Sequence, residues 1–444
     1  MRTLLLMILF AAGNVRGLTL EEALAAALRD NPSEAVARAR LEQAEARYQQ
    51  SRAAYRPRIS LEAGGTHIRY SDTEAAMIPG MPESADQFNA GVQARWLLYD
   101  GGERRGRLRA AQAGEAAARV SQTLVREELV AAVARSYFAA KTARESVRIA
   151  VADEAFNERQ LDEINRRREA GQAALADSLN FEIRLQQAAS ARIGAESELA
   201  SVLASLGALM GMEESAPPPA EANAEVRTPM EPAREQTREE AWAEAWALAE
   251  GQLPRLALAR AARTGAEERL RAVRGERRPD VALFGGVEAR RADDPNFGDG
   301  DLGQSAGVVL SFDLWDGDGR RQRRREAEAE LREANEEVRE AELNARANLR
   351  EAFVRLEAAR EQVRISERTL DLTRRNRDLV EAAHRAGTES LLRLNEAQRD
   401  YLNAESRAAQ TRLQLRNAEI NLGLATGTLT RRLLPDLFQA GGGE

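Results

Sequence analysis

The chain contains four stretches in which apolar and polar residues alternate, the pattern of strands with one apolar face. They lie at about residues 58–70, 87–100, 279–291 and 304–315. In the second stretch, one face carries an apolar side chain at every other position, namely Phe88, Ala90, Val92, Ala94 and Trp96. The connections at 71–86 and 291–303 are rich in Asp, Pro and Gly, which is typical of surface loops. The pattern therefore predicts two pairs of partner strands.

Each strand pair is followed by a long stretch with helical character. From Gly102 to Ala170 there is no proline and no turn cluster, which at about 1.5 Å per residue predicts roughly 100 Å of helix. Gly171 predicts the end of this helix, and a second helix returns to about Met210. A thin apolar seam is predicted between them, with Val130, Val133 and Tyr137 on the first helix and Leu175, Leu179 and Ile183 on the second. Such a narrow seam is typical of a helical hairpin that is exposed to water on both faces.

This unit occurs twice. Both copies open with a capping-box sequence, Thr19 to Glu22 and Thr237 to Glu240. The prolines at 32 and 57 recur at 254 and 279, and four glycines at 91, 171, 207 and 211 recur at 307, 387, 423 and 427. The proline positions differ by 222 (254 − 32 and 279 − 57), and all four glycine positions differ by 216 (307 − 91, for example). One inserted residue would rotate a helix by about 100°. The constant offset therefore predicts long helices packed in register.

These features divide the chain into five parts. Residues 1–17 resemble a signal peptide, because Arg2 precedes a short apolar run, and Val15 and Gly17 suit cleavage before Leu18; the alternative is an uncleaved apolar N-terminus. We assign the first repeat to 18–211, a Pro-rich linker to 212–236, the second repeat to 237–427 and a tail to 428–444.

Composition narrows the function. The net charge is −7 with arginine and glutamate interleaved, so we expect no nucleic-acid binding. There is no cysteine, and His67 and His384 are the only histidines, so we expect no cofactor, metal site or catalytic group. Beyond the N-terminus no apolar run is long enough for a membrane-spanning helix. Four strands leave open edges, which a bilayer does not tolerate. A membrane location would therefore require strands from other copies, whereas the alternative is a soluble protein with a small sheet.

Several motifs resemble those of the TolC-like outer membrane efflux protein family. They are the start at Leu18 to Leu24 with Asn31-Pro32, the strand-to-helix junction Trp96 to Gly102, and the hairpin tips around Gly171 and Gly387. The resemblance covers nearly the whole chain after residue 17. It implies a mainly α fold with a membrane β-barrel portion. Three chains would form a trimeric α/β-barrel duct, with a twelve-stranded barrel in the outer membrane and a twelve-helix tunnel across the periplasm. It also implies a periplasmic adaptor and an inner-membrane pump or transporter as partners.

The resemblance also implies a periplasmic aperture just beyond each tip glycine. The matching positions are Asp177 and Asn180 in the first copy and Arg393 and Glu396 in the second. Arg393 stands where the family often has an acidic residue. We hypothesise that it pairs with Asp177 or Glu396 to latch the closed state. The alternative is that these are ordinary solvated charges.

Two further groups are candidate contact residues. The resemblance implies that the tips, Gly171, Gln172, Gly387 and Thr388, contact the adaptor; otherwise they are only turn residues. Arginines open both long helices at the same offset, namely Arg104, Arg105 and Arg107, and Arg320, Arg321 and Arg323. Cations at a helix start oppose the helix dipole. We hypothesise that they reach anionic head groups of outer-membrane lipid; the alternative is general arginine richness.

The favoured function is a passive exit duct, gated at the helix tips, of a tripartite efflux or type I secretion system. A soluble periplasmic coiled-coil adaptor or structural spacer is the alternative, although it would lack duplicated amphipathic strands. An enzyme is a distant third reading, because nothing assembles a nucleophile, a base and an orienting group.

Overall fold

The computed structural model describes residues 17–71, 84–172, 174–219, 238–292 and 294–434. The predicted signal peptide, the capping threonine Thr237, most of the Pro-rich linker and the end of the tail lie outside these residues.

The first repeat has the predicted order of elements. Two short helices, α1 (Leu20–Asp30) and α2 (Pro32–Ala53), precede the strands β1 (Arg58–Arg69) and β2 (Ser84–Asp100), and the long helices α3 (Glu103–Glu169) and α4 (Leu175–Leu209) follow. The capping box is confirmed, since the Glu22 N–H donates to Thr19 Oγ1 over 3.2 Å and the Thr19 N–H donates to Glu22 Oε2 over 2.9 Å.

The second repeat has the same order. It comprises α5 (Arg238–Glu250), α6 (Pro254–Gly275), β3 (Asp280–Ala292), a 3₁₀ turn (Asp299–Asp301), β4 (Leu302–Ser311), α7 (Gly319–Arg385) and α8 (Leu391–Ala425), and the short helix α9 (Leu429–Leu433) ends it. The first and last positions of both long helices exceed those of their first-copy counterparts by 216 (319 − 103 and 391 − 175 for the starts). The predicted register is therefore confirmed.

The strands form one antiparallel sheet in the order β1-β2-β3-β4. The register obeys the repeat, because Arg58 lies opposite Arg95 in the first copy and Asp280 lies opposite Ser311 in the second. β4 ends at Ser311, although the pattern predicts a strand to residue 315. Among the described strands, none pairs with the outer edge of β4 or with that of β1.

The chain divides into two compact units. The hairpin unit contains the described residues within 1–38, 121–257 and 342–444, and the sheet unit contains those within 39–120 and 258–341. In the sheet unit, the start of α3 packs on α6 so closely that a side chain at Gly106 would meet Ala272. No described helix combines the length and apolarity needed to cross a membrane.

The main apolar core lies in the hairpin unit. It includes Leu24 of α1, Tyr137 of α3, Leu206 of α4 and Ile420 of α8, all buried. The Tyr137 hydroxyl donates to the Leu18 carbonyl oxygen over 3.1 Å. The core thereby anchors the start of α1.

The predicted hairpin seam is half right. Val130, Val133 and Tyr137 are buried, as predicted, but Leu175, Leu179 and Ile183 are exposed. The inner face of α4 is formed instead by Ser178, Phe181 and Ala188. The apolar stripe of α4 is therefore not part of the seam with α3.

Candidate functional site

One face of the sheet is apolar and uncovered. Its exposed side chains come from all four strands: Ile59, Leu61, Val92, Trp96, Leu283, Val287, Val308 and Leu310. The opposite face carries Arg58, Gln93, Arg95 and Glu288 among others. A register shift between Leu97 and Tyr99 brings Tyr99 onto the apolar face beside Trp96. The sheet thus has one apolar and one polar face, with the aromatic side chains of Trp96 and Tyr99 near the end at which β2 leads into α3.

A buried ion pair joins β2 to α3. Asp100 caps the helix, since its Oδ2 accepts the Arg104 N–H over 2.7 Å, and the Arg104 Nε donates to the same oxygen over 2.9 Å. The guanidinium also donates to the carbonyl oxygens of Leu97, Ala54 and Leu98, over 2.7, 3.2 and 3.2 Å. Its carbon lies 4.8 Å from the centre of the Tyr55 ring. Arg104 therefore holds the end of α2, the end of β2 and the start of α3 together.

The second junction repeats this arrangement in a more open form. Asp316 Oδ2 accepts the Arg320 N–H over 2.7 Å. The guanidinium donates to the carbonyl oxygens of Asp313 and Glu276 and lies 5.5 Å from the Phe312 ring. Residues 313 and 276 are the repeat equivalents of 97 and 54 (97 + 216 and 54 + 222). Both junctions therefore use the same clamp.

The clamps correct the expectation that Arg104 and Arg320 reach lipid head groups, because protein oxygens occupy their N–H groups. Arg107 and Arg323 are also paired, with Glu103 and Glu276. Arg105 is exposed with no side-chain partner among the described residues, and the exposed Arg321 lies 3.9 Å from Asp318.

In the hairpin unit, the four long helices pack in the order α4-α3-α8-α7. Ser178 and Asn165 join α4 to α3 over 2.7 Å, Arg148 and Glu405 join α3 to α8 over 3.0 Å, and Ser366 and Thr411 join α7 to α8 over 2.7 Å. The outer helices both carry exposed apolar stripes, Leu175, Leu179 and Ile183 on α4 and Ile365, Leu372 and Leu379 on α7.

The two hairpin tips have the same backbone turn. Gly171 and Gly387 have φ values of +74° and +75°, a region that favours glycine. The Gln172 N–H donates to the Arg167 carbonyl oxygen over 2.8 Å, and the Thr388 N–H donates to that of Ala383 over 3.0 Å. An added Cβ at either glycine would have no described atom within 4 Å apart from those of its chain neighbours. The tips are therefore exposed and shaped by their own turns.

The predicted aperture residues fall into two places. Asp177 and Asn180 line an open cavity of about 1020 Å³ between α3, α4 and α8. Arg393 and Glu396 are not among its lining residues, and they pair with each other over 3.4 Å within α8. Within one chain, Arg393 therefore pairs with Glu396 rather than with Asp177.

Arginine–tryptophan stacks were not foreseen from the sequence. Arg346 and Arg350 of α7 lie 4.9 and 4.5 Å from the ring centres of Trp246 and Trp242 of α5. In the first copy, the equivalent of the Trp246–Arg346 pair is Leu24 with Val130 (246 − 222 and 346 − 216), and both are fully buried in one apolar cluster. The spacing of four between the tryptophans and between the arginines was the available signal.

Two buried carboxylates of the hairpin unit were also missed. Glu34 Oε1 accepts from Arg126 Nη2 over 2.6 Å and from Gln122 Nε2 over 3.0 Å. Burial, with a smaller effect of the Glu128 charge, raises the pKa of Glu127 to about 7. The charge pattern of the sequence gives no sign of either, because both lie among many exposed glutamates.

Comparisons with known proteins agree with this architecture. The chain is 29% identical to Protein CyaE of Bordetella pertussis over 422 residues, 95% of this chain and 86% of CyaE. Its fold is similar to that of the CmeC outer membrane channel of Campylobacter jejuni, with a TM-score of 0.80, 16% identity and coverage of 92% of this chain and 86% of that one. For the MtrE outer membrane channel of Neisseria gonorrhoeae, the TM-score is 0.77, with 19% identity and coverage of 93% and 90%.

The family model of outer membrane efflux proteins matches residues 23–212 and 247–428. The match spans both repeats and confirms the resemblance that the sequence motifs indicate. This chain belongs to the outer membrane efflux protein family.

Proposed function

We propose that three copies of this chain form an exit duct in the outer membrane that extends into the periplasm. The duct would be a passive conduit without catalysis. An inner-membrane pump or transporter and a periplasmic adaptor would deliver the cargo, in a tripartite efflux or a type I secretion system.

The four-stranded sheet carries this proposal. Its uncovered apolar face suits lipid, and its other face suits water. No strand in the described part of the chain pairs with either of its outer edges. Exposed strand edges are unstable in a bilayer, so the sheet must close with other sheets. Three copies of four strands give a barrel of twelve. In a soluble adaptor or spacer, the apolar face would be exposed to water with nothing to cover it.

The helix order supports closure of the tunnel as well. α4 and α7 are the outer members of the layer, and each carries an apolar stripe that its own chain leaves exposed. In a ring of copies, α7 of one chain would lie beside α4 of the next, and the two stripes would cover each other. The interface is head-to-tail, which closes into a ring when the rotation fits.

For the tips, we propose that Gly171, Gln172, Gly387 and Thr388 contact the adaptor. Their exposure and the identical turns in the two repeats support this role. We also propose that Asp177, Arg393 and Glu396 line the periplasmic aperture, where Arg393 offsets the charge of Glu396. The latch between Arg393 and Asp177 would have to form between neighbouring chains.

The lipid role remains a proposal for Arg105 and Arg321. Both are exposed in the first turn of a long helix that follows a strand pair. Reconstitution with and without anionic phospholipid tests it. Arg105→Ala with Arg321→Ala should reduce insertion into anionic vesicles and leave insertion into neutral vesicles unchanged; equal insertion in both would contradict it.

Planar-bilayer conductance of the purified protein tests the duct itself. We expect the conductance to rise in discrete steps, one for each assembly that inserts. Absence of conductance from a folded, membrane-inserted protein would contradict the proposal. For the aperture, Arg393→Ala should raise conductance or cation selectivity. Arg375→Ala, an exposed arginine of α7 paired within its own helix, serves as control.

A further inference from the structure

The cavity between α3, α4 and α8 has two buried amides on its α8 wall. Asn395 and Gln398 lie one helical turn apart, both line the cavity, and each is only 6% exposed. Neither side chain forms a hydrogen bond with another residue in the described part of the chain. Because buried polar side chains in proteins are nearly always hydrogen-bonded, the two amides indicate a partner that is not part of the chain.

The packing of the helical layer does not explain these amides. Their first-copy equivalents, 216 positions earlier, are Leu179 and Glu182, and both are exposed. The same positions of the repeated hairpin therefore accept an apolar or a charged side chain. The pair of buried amides is specific to this cavity.

Two aromatic rings form apolar walls of the same cavity. Phe156 of α3 and Phe181 of α4 line it and are 9% and 8% exposed. Their second-copy equivalents, Leu372 and Ala397 (156 + 216 and 181 + 216), are not aromatic. Sites for small organic molecules combine aromatic walls with a few polar groups in roughly 300–1,000 Å³. The volume of about 1020 Å³ and the lining therefore suit a planar organic molecule.

A partly buried carboxylate faces the cavity without a cation. Asp153 of α3 accepts from Asn157 Nδ2 over 3.1 Å, and no cation among the described residues pairs with it. Burial raises the pKa of the Asp153 carboxyl, and the hydrogen bond from Asn157 opposes this effect only in part. Asp177, a second carboxylate of the lining, is exposed and accepts the Ala174 N–H over 3.3 Å. A positive charge inside the cavity would therefore be favourable beside Asp153.

The arginines that line the cavity are engaged or lie at its rim. Arg167 pairs with Glu163 of its own helix, and the guanidinium carbon of Arg184 lies 5.8 Å from the centre of the Phe181 ring. Arg399 is exposed. The partly buried carboxylate of α3 is therefore the charge that is left for a ligand.

We propose that this cavity binds a planar aromatic cation that carries N–H donors. The rings of the ligand pack against Phe156 and Phe181, its positive charge pairs with Asp153, and an N–H group donates to Asn395 Oδ1. Such a ligand supplies the cation that Asp153 lacks and the donor that the amide of α8 lacks. All the lining residues belong to the hairpin unit, so the proposal does not rest on the trimeric duct.

Proflavine, a planar cation with two amino groups, is the probe, and neutral acridine, which has the same ring system, is its matched control. Calorimetric titration of the whole chain in a nonionic detergent at neutral pH measures both affinities. Asp153→Asn removes the charge at nearly constant size. Asn395→Leu removes the amide and introduces the residue that the first copy has at this position. Exposed residues of the same two helices provide controls, Asp162→Asn on α3 and Asn403→Leu on α8.

We expect one proflavine per chain, with a dissociation constant that rises about tenfold or more in each cavity variant and stays unchanged in the two controls. Acridine should bind more weakly than proflavine, and Asp153→Asn should not change its affinity. Absence of saturable proflavine binding, equal proflavine affinity in all five proteins, or acridine binding as tight as that of proflavine would each overturn the proposal.

The stability of Asn395→Leu separates a ligand group from a structural one. The amide has no protein partner to lose, so the thermal midpoint should stay the same or rise. A lower midpoint together with unchanged proflavine affinity would show that internal water bonds the amide, and it would contradict the proposed role of Asn395. If Asn395→Leu does not fold, the proflavine affinity of Asp153→Asn decides alone.

Discussion

Replacing Arg104 with alanine removes the clamp between β2 and α3. The side chain is nearly buried, and so is its partner Asp100, with 10% and 9% of the two side chains exposed. The change deletes four hydrogen bonds donated by the guanidinium and its stack on the Tyr55 ring. It also leaves the buried carboxylate of Asp100 without its cation.

Breaking a buried ion pair by removing one partner destabilises a protein by about 3–5 kcal/mol. We expect Arg104→Ala to lie in this range for each chain. Arg320→Ala should be milder, about 1–3 kcal/mol, because the second clamp is more open in the single chain. The neighbouring Arg105→Ala is the matched control, and it should change stability by less than about 0.5 kcal/mol, as exposed substitutions usually do.

Unfolding of the protein by guanidinium chloride in detergent, monitored by circular dichroism, measures these differences in stability. A double variant with Asp100→Ala and Arg104→Ala should be hardly less stable than Arg104→Ala alone, because the two residues act as a unit. If Arg104→Ala unfolds at the same guanidinium concentration as Arg105→Ala, the clamp contributes nothing and the reasoning is refuted.

Three further predictions concern the helices. The raised pKa of Glu127, about 7, means that the folded protein binds this proton more tightly than the unfolded chain, so stability falls as pH rises from about 4.5 to 7. Glu127→Gln should therefore unfold at higher temperature than the parent at pH 8 and at the same temperature at pH 4; an equal shift at both would refute this. Gly387→Ala should destabilise the tip by about 1–2 kcal/mol, because φ is +75° there. Gly114→Ala, inside α3, should instead stabilise the protein by about 0.5–1 kcal/mol. The thermal midpoint of the Gly387→Ala variant should therefore be the lower of the two, and the reverse order would refute the reasoning. Tyr137→Phe loses the hydrogen bond to Leu18 and should cost about 1 kcal/mol in denaturant unfolding; no loss would show that water replaces it.

The elements themselves could be predicted because local chemistry sets them. Thr19 and Glu22 cap α1, and the tip glycines end α3 and α7 where the sequence places them. The constant offset between the repeats holds for every boundary of the long helices. Periodicity and turn residues carry this information, and both act over short stretches of chain.

The burial of α4 could not be predicted in the same way. An apolar stripe shows that a face is to be covered, but it does not show by what. The sequence pattern assigns Leu175, Leu179 and Ile183 to the seam with α3, yet a different face, with Ser178, Phe181 and Ala188, packs there. Both faces of α4 carry apolar side chains, so the sequence alone does not select which of them packs on α3.

The arginines show a similar limit. Cations that open a long helix oppose the helix dipole, so the sequence alone favours a ligand outside the chain, such as lipid, as their explanation. The oxygens that bind Arg104 come from residues 54, 97, 98 and 100. Only the folded corner brings them together. The clamp is therefore visible in the structure and hidden in the sequence.

Native mass spectrometry of the protein extracted from outer membranes tests the central claim most directly. The account predicts a particle of three chains, since each chain supplies one third of a closed barrel and one third of a closed tunnel. A monomer that keeps its fold and stays dispersed, with the edges of β1 and β4 exposed, would contradict it.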